Sequence, residues 1–290
     1  MKARPGRASL LRRLSGAISV PFTDPHGDKG IFNRVSRAQP HVVRHVELSM
    51  AGWPRWRRPF RVAFLSDLHI GSHTGDVPRL RDLTAEVMSY SPDLVLHGGD
   101  FLNMQTYGGG RVPPGTIAEI LATLDAPLGQ FAVLGNHDTE YGASDVVAAL
   151  MQNGITVLDD RRHTVHFDGA DVDLVGLPDT DQRALIPSAM LDDQPWRVPS
   201  IILAHDPAWF EKIPVGSFLT LSGHTHGGQV RLPLIGVVKN ASNAKLQWSY
   251  GLIEEAGKMM YVTSGIGTSL VPLRWRVPPE WVVFDLNGHS

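Results

Sequence analysis

Five short apolar runs in this chain end in the same way. "VAFL" runs into Ser66-Asp67-Leu68-His69, "LVLHG" into Gly99-Asp100, and "FAVLG" into Asn136-His137-Asp138. "IILA" runs into His205-Asp206 and "FLTLSG" into His224-Thr225-His226. Short apolar runs of this kind read as buried strands. Ligand sites of α/β sheets gather beyond the C-terminal strand ends. A fold that lays these strands together therefore collects their Asp, Asn and His at one edge.

The stretches between the runs support such a fold. Leu80, Leu83 and Val87 recur at helical spacing, as do Ile117, Ile120, Leu121 and Leu124, and then Val146, Val147 and Leu150. Strands alternating with helices predict α/β layers. After about residue 154 most segments read as strands: "ITVLDD", "HTVHF", "VDLVGL", "SIILAH", "FLTLSG", "MMYVTSG" and "WVVFDL". The expectation is one domain over 41–290 whose two β-rich halves face each other. Residues 1–40, rich in Pro, Gly, Arg and Ser, read as a basic, partly disordered leader.

The polar residues form pairs. Asp67 and His69 are two apart, as are His224 and His226. In an extended chain residues i and i+2 point the same way, so each pair is expected to aim two donors into one pocket. With no cysteine in the chain, disulfides and thiolate sites are excluded. Seven His, Asp and Asn side chains at strand ends serve no apolar core, and burying them unpaired is costly. A sulfur-free donor set of this kind suits hard or borderline divalent metals.

Charge is uneven along the chain. Residues 1–60 hold 12 Lys and Arg against 3 Asp and Glu, a net +9, which leaves −11 for the remainder of a chain totalling −2. A basic head favours an anionic surface. "SLLRRLSGAIS" reads as a short basic amphipathic helix on a membrane. No apolar run is long enough to span one. Pro21 ends the short apolar stretch after Arg12-Arg13, which argues against an export signal.

The ordered blocks Asp67-x-His69, Gly99-Asp100, Gly135-Asn136-His137-Asp138, His205 and Gly223-His224-x-His226 resemble the calcineurin-like metallophosphoesterase superfamily. The likeness runs from about residue 60 to the C-terminus. "SDLHIG", "GHTHGGQVRLP" and "TSGIGTS" are similar to its bacterial branch of phosphohydrolases that often act at membranes. Asn103 departs from the pattern, standing where many relatives carry a second Asp. The resemblance implies a four-layer α/β/β/α sandwich with two divalent ions, Mn, Fe or Zn, between the sheet edges. It implies that Asp67, His69 and His226 hold one ion, that Asn136, His205 and His224 hold the other, and that Asp100 bridges them.

Two such ions bring +4 and the two aspartates return −2, so the pocket attracts a phosphate group. A hydroxide shared by both ions is expected to attack phosphorus in line. His137 is the expected general acid for the leaving alcohol, with Asp138 orienting its ring. His73, Gln229 and Arg231 are candidate substrate contacts, and Arg274 and Arg276 candidates for a second phosphate or a headgroup. The expected activity is hydrolysis of a phosphate ester or pyrophosphate bond, on a lipid-linked or membrane-associated substrate. The competing readings are a soluble phosphodiesterase acting on cyclic nucleotides or nucleic acid, and a non-catalytic scaffold of the same fold. The expected location is the cytoplasm, with peripheral contact to an anionic membrane and no obligate protein partner.

Overall fold

The computed structural model describes residues 23–27, 36–179, 199–216, 218–233, 235–237 and 239–289. The expected amphipathic helix at 9–19 lies outside these residues.

Two six-stranded sheets carry the fold. The first contains β1 (Val42–Ala51), β2 (Phe60–Leu65), β3 (Leu94–His97), β4 (Gln130–Ala132), β5 (Ile155–Val157) and β14 (Glu280–His289), in the order β1-β14-β2-β3-β4-β5. Strands β2 to β5 are parallel neighbours, and β14 runs parallel to β1 but antiparallel to β2. The second contains β6 (Arg161–Phe167), β7 (Ala170–Gly176), β8 (Ser200–Leu203), β9 (Phe218–Ser222), β12 (Gly251–Glu255) and β13 (Lys258–Val262), in the order β12-β13-β9-β8-β7-β6. Its centre, from β13 to β7, is parallel. A two-residue hairpin, β10 (Arg231–Leu232) and β11 (Gly236–Val237), stands apart from both sheets.

The apolar alternation decides which face meets what. Along β2, Phe60, Val62 and Phe64 point into the layer between the sheets, while Ala63 and Leu65 point to the helical side. Along β8, Ile201 and Leu203 face the other sheet while Ile202 faces outward. Helices α1 (Asp76–Ser89), α2 (Pro114–Leu121) and α3 (Asn136–Gln152) cover the outer face of the first sheet through Leu80, Leu83, Ile117, Leu121 and Leu150. These are the helices that the apolar spacing predicts. On the outer face of the second sheet, the described cover consists of 3-10 turns at Pro207–Glu211 and Leu246–Trp248, which bury Trp209, Phe210 and Trp248. The α/β sandwich is thus asymmetric, helical on one side and made of tight turns on the other among the described residues.

Part of the stretch expected as a leader is tied to the domain. Thr74 N–H donates to Ser36 O, and Val77 N–H to Pro25 O, both at 2.9 Å, while Gly75 N–H donates to Asp24 O at 2.8 Å. Residues 23–27 and 36–40 thereby hold the loop between β2 and α1.

Candidate metal centre

Strands β2, β3, β4, β8 and β9 all deliver their C-terminal ends to one cleft of about 920 Å³. Three donor clusters meet at its floor: Asp67 with His69 and His226, His69 with Asp100 and His137, and Asp100 with His205 and His224. Asn136 lines the same cleft from the first turn of α3, with its Oδ1 buried and without a hydrogen-bond partner. The structure thus brings together all seven residues singled out as ligands, and His137 with them.

Asp100 is the common member. Its Oδ2 lies 3.4 Å from His69 Nε2 and 3.3 Å from His205 Nε2. On one side His69 Nε2 faces His226 Nε2 at 3.1 Å, and Asp67 Oδ1 lies 3.6 Å from His226. On the other, His205 Nε2 faces His224 Nδ1 at 3.2 Å. The two histidines of "HTH" therefore belong to different clusters.

The pairing does not arise from extended chain. Asp67, His69, Asp100, His224 and His226 all have left-handed backbones, with φ of 52°, 42°, 56°, 67° and 51°. Such angles cost about 1 kcal/mol or more for each residue with a Cβ. Sharp turns fold each loop inward, bringing Asp67 and His69 into one cluster and sending His224 and His226 to different ones. Close backbone packing sustains the turns. A Cβ on Gly223 would overlap Ser66 Oγ and Asp67 Oδ2, and one on Gly135 would overlap Asp100 Oδ1. The His224 N–H donates to both oxygens of Asp67, at 3.0 and 3.1 Å, and Ser66 Oγ donates to Asp67 Oδ2 at 2.7 Å.

The donor set fits cations. His205 Nδ1–H donates to Gly98 O at 2.6 Å, which leaves the Nε2 lone pair facing the Asp100 carboxylate. Two acceptors face each other there unless a positive charge intervenes. Burial alone would lower the His205 pKa, yet Asp100 and Asp67 outweigh it and raise it well above the usual value. Burial would likewise raise Asp100, but the imidazoles of His205, His137 and His69 hold it well below the usual carboxylate range. His69 is driven down to about 3, first by burial and then by His137. Its ring is therefore neutral and able to donate a lone pair at neutral pH. These His/Asp clusters can bind metal ions.

Asp138 takes a different part from the expected one. Its carboxylate does not bond the His137 ring. It accepts the backbone N–H groups of Asp100 at 2.8 Å, Phe101 at 2.9 Å and Gly135 at 3.0 Å. Asp138 thus clamps the turn after β3 to the start of α3, while His137 Nδ1 has no partner.

Three candidate contacts also sit differently. His73 is buried, with its ring against Ser72 Oγ at 2.8 Å and its backbone N–H donating to Asp76, and it does not line the cleft. Arg231 leans over the Tyr250 ring at 5.8 Å and is likewise outside the lining. Gln229 does line the cleft, but its side chain holds a loop, accepting Ser269 N–H at 2.7 Å and donating to Val271 O at 3.2 Å. Arg274 cannot reach a headgroup. It is buried and donates to the carbonyls of Ser264 and Gly267 beneath His226, whereas Arg276 is exposed. Sequence reasoning missed Lys239, the one Lys or Arg among the described residues of the cleft lining. It also missed Asp206 as a neighbour of His224, 3.9 Å from Nε2. Its position directly after His205 was the available signal.

Residues 60–232 match the family described as Calcineurin-like phosphoesterase. The chain belongs to the calcineurin-like phosphoesterase family. That makes it a phosphoric ester hydrolase by class. Among its relatives in this family is the metallophosphoesterase YkuE of Bacillus subtilis (strain 168), 28% identical over 97% of this chain and 98% of its own length. Phosphodiesterase YaeI of Escherichia coli (strain K12) is 30% identical over 79% of this chain and 82% of its own. UDP-2,3-diacylglucosamine pyrophosphatase LpxG of Chlamydia trachomatis serovar D is 25% identical over 83% and 88%.

Proposed function

We propose that this calcineurin-like phosphoesterase is a dinuclear metal hydrolase that cleaves a phosphate ester or pyrophosphate bond on a lipid-linked or membrane-associated substrate. The observation that carries the metal assignment is the single oxygen, Asp100 Oδ2, within 3.4 Å of imidazoles from two separate clusters. Asp67, His69 and His226 would hold one ion and Asn136, His205 and His224 the other, with Asp100 within reach of both. Two divalent ions in this set supply Lewis-acid activation of water and neutralise charge on the phosphoryl group.

The chain's own residues do the rest. The Gly98 carbonyl fixes the His205 tautomer, so Nε2 is the donor atom. Asp138 holds the Asp100 turn in place. His137, at the first turn of α3 and in the cleft wall, protonates the leaving oxygen. Lys239 meets the negative charge of the substrate at the cleft wall.

The lipid-linked substrate is favoured by the basic residues 1–60 and by the relative whose name specifies a diacylglucosamine nucleotide. The same basic stretch supports peripheral contact with an anionic membrane, on its cytoplasmic side. No helix among the described residues is long and apolar enough to cross a membrane. The relative named as a phosphodiesterase favours a diester, the bond type of the second reading.

The test is release of 4-nitrophenol from mono- and bis(4-nitrophenyl) phosphate with Mn²⁺, followed by a lipid-linked pyrophosphate and a cyclic nucleotide as competing substrates. Turnover that survives chelation, or survives Asp100→Ala in metal-loaded protein, refutes the assignment. Faster turnover of the cyclic nucleotide replaces the lipid reading with the soluble one.

A further inference from the structure

The mouth of the cleft is apolar. Leu270, Val271 and Leu273 form one lip, each half or more exposed, and Val230 stands beside them. Tyr107, 77% exposed, donates its N–H to Leu270 O at 2.8 Å. Trp275, 46% exposed, bridges to Val230, and its carbonyl accepts the Arg231 N–H at 3.1 Å. Ile235, 70% exposed, sits at the turn of the β10–β11 hairpin that Arg231 opens. Three chain segments distant in sequence thus join into one rim of large, exposed apolar side chains. Apolar residues scattered singly are ordinary, but a contiguous patch beside a cleft marks a surface that something covers.

The charges around the rim specify what covers it. Residues 101–118, 212–253 and 256–279, which build the rim and its supports, contain no Asp or Glu. Of their cations, Arg111, Arg231, Lys239 and Arg276 are not buried, whereas Arg274 is buried and Lys245 is paired with Glu255. The acids near the cleft are Asp100, Asp179 and Asp206 in its lining and Glu140, which accepts from Gln105 at 2.9 Å. An apolar rim whose own segments carry Lys and Arg is complementary to an anionic bilayer, whose headgroups meet the cations while the side chains enter the acyl boundary. Trp and Tyr are the residues favoured at that depth.

We propose that the rim docks on an anionic lipid bilayer through Tyr107, Ile235, Trp275 and the Leu270–Leu273 lip, so that the cleft opens directly onto the headgroup layer. Arg231 and Arg276 face lipid phosphates, and the substrate enters as a phosphate or pyrophosphate group carried by a lipid. The substrate part rests on the phosphohydrolase reading above, whereas the docking part does not.

The experiment uses the full chain with vesicles of phosphatidylglycerol and phosphatidylcholine, some bearing brominated acyl chains. The comparison protein carries Tyr107→Ser, Ile235→Ser and Trp275→Ser together, none of them a cleft-lining residue. Co-sedimentation is expected to fall at least about tenfold in this variant, while hydrolysis of bis(4-nitrophenyl) phosphate in solution is unchanged. Brominated lipid is expected to quench tryptophan fluorescence in the wild type and less so in Trp275→Phe. Equal sedimentation of wild type and triple variant overturns the proposal and moves the anchor to the basic N-terminal residues. Dimerisation of the wild type alone, without vesicle binding, also overturns it and assigns the rim to a second copy. A protein that binds vesicles but hydrolyses no phosphate ester refutes the catalytic reading and leaves the docking standing.

Discussion

Asp138 Oδ2 accepts the backbone N–H of Asp100 at 2.8 Å. The two residues are 38 positions apart, and this bond fixes the angle from which Asp100 presents its own carboxylate to both clusters. Asp138→Asn leaves one acceptor oxygen where three N–H groups converge, and an unsatisfied buried donor costs about 1–3 kcal/mol. The expected result is a lower Tm and Mn²⁺ affinity reduced about 10–100-fold, with much of kcat regained at saturating Mn²⁺. Calorimetric titration with Mn²⁺ measures this. A residue acting only on His137 would lower kcat and leave the affinity unchanged.

His137→Gln separates proton donation from metal binding, since His137 also lies within the cluster of His69 and Asp100. The variant is expected to keep its metal content. It should lose about 10²–10³ in kcat on an alkyl phosphate ester and far less on a 4-nitrophenyl ester, whose leaving group needs no proton. Loss of one ion per chain by elemental analysis would instead make His137 a ligand.

The proposed sharing of Asp100 between two ions has a stoichiometric signature. His226→Ala is expected to weaken retention of one ion, and Asp100→Ala to weaken retention of both. Each should lower kcat/KM by about 10³ or more. Metal content after gel filtration distinguishes the two. An Asp100→Ala protein that retains two ions would remove the bridge.

Lys239 lines the cleft without belonging to any donor cluster. Lys239→Ala is expected to raise KM about 3–10-fold for an anionic ester with little change in kcat, the pattern of lost ground-state binding. Added salt should narrow the difference from wild type.

His97, in β3, donates Nε2–H to Gln130 Oε1 at 2.9 Å, and burial pushes its pKa down from 6.5 to about 4. The unfolded chain takes up a proton near pH 6.5, but the folded chain does not until pH falls to about 4. Stability is therefore lost as pH drops through that window, by about 3 kcal/mol in total from this group, and is level above pH 7. His97→Leu should flatten this part of the pH dependence, as read from urea midpoints at pH 7.5 and pH 5 in metal-free protein.

The fold was legible wherever one period ran cleanly. Leu80-Leu83-Val87 and Ile117-Ile120-Leu121 gave helices, and "FRVAFL" gave a strand buried on both faces. β12 escaped because "GLIEE" is an edge strand with only partial burial, so its pattern carries no apolar alternation. α3 begins at Asn136, ahead of its apolar residues, because the Asp138 carboxylate caps Gly135 N–H. That these side chains gather at one edge could be read from their types and their places at strand ends. The reason first given for their pairing could not stand, since left-handed turns at Asp67, His69, His224 and His226 leave no mark of their own in a sequence. Arg274 is instructive in the opposite way. A charged residue near an exposed Trp reads as surface, and only the carbonyls of Ser264 and Gly267 explain its burial.

β14 lies between β1 and β2, so the first sheet contains a gap until residues 280–289 take their place. A nascent chain on the ribosome therefore holds β1 and β2 as open edges until residues 280–289 emerge, a hazard for aggregation. Glu280, the first residue of β14, is buried and accepts from Tyr250 and Thr263 next to the β13 end. Arrival of that strand thus also locks one sheet to the other. Residues 280–289 must be made before the first sheet closes behind this cleft, and chains cut short near residue 280 should be cleared by proteolysis rather than persist as weakened enzyme.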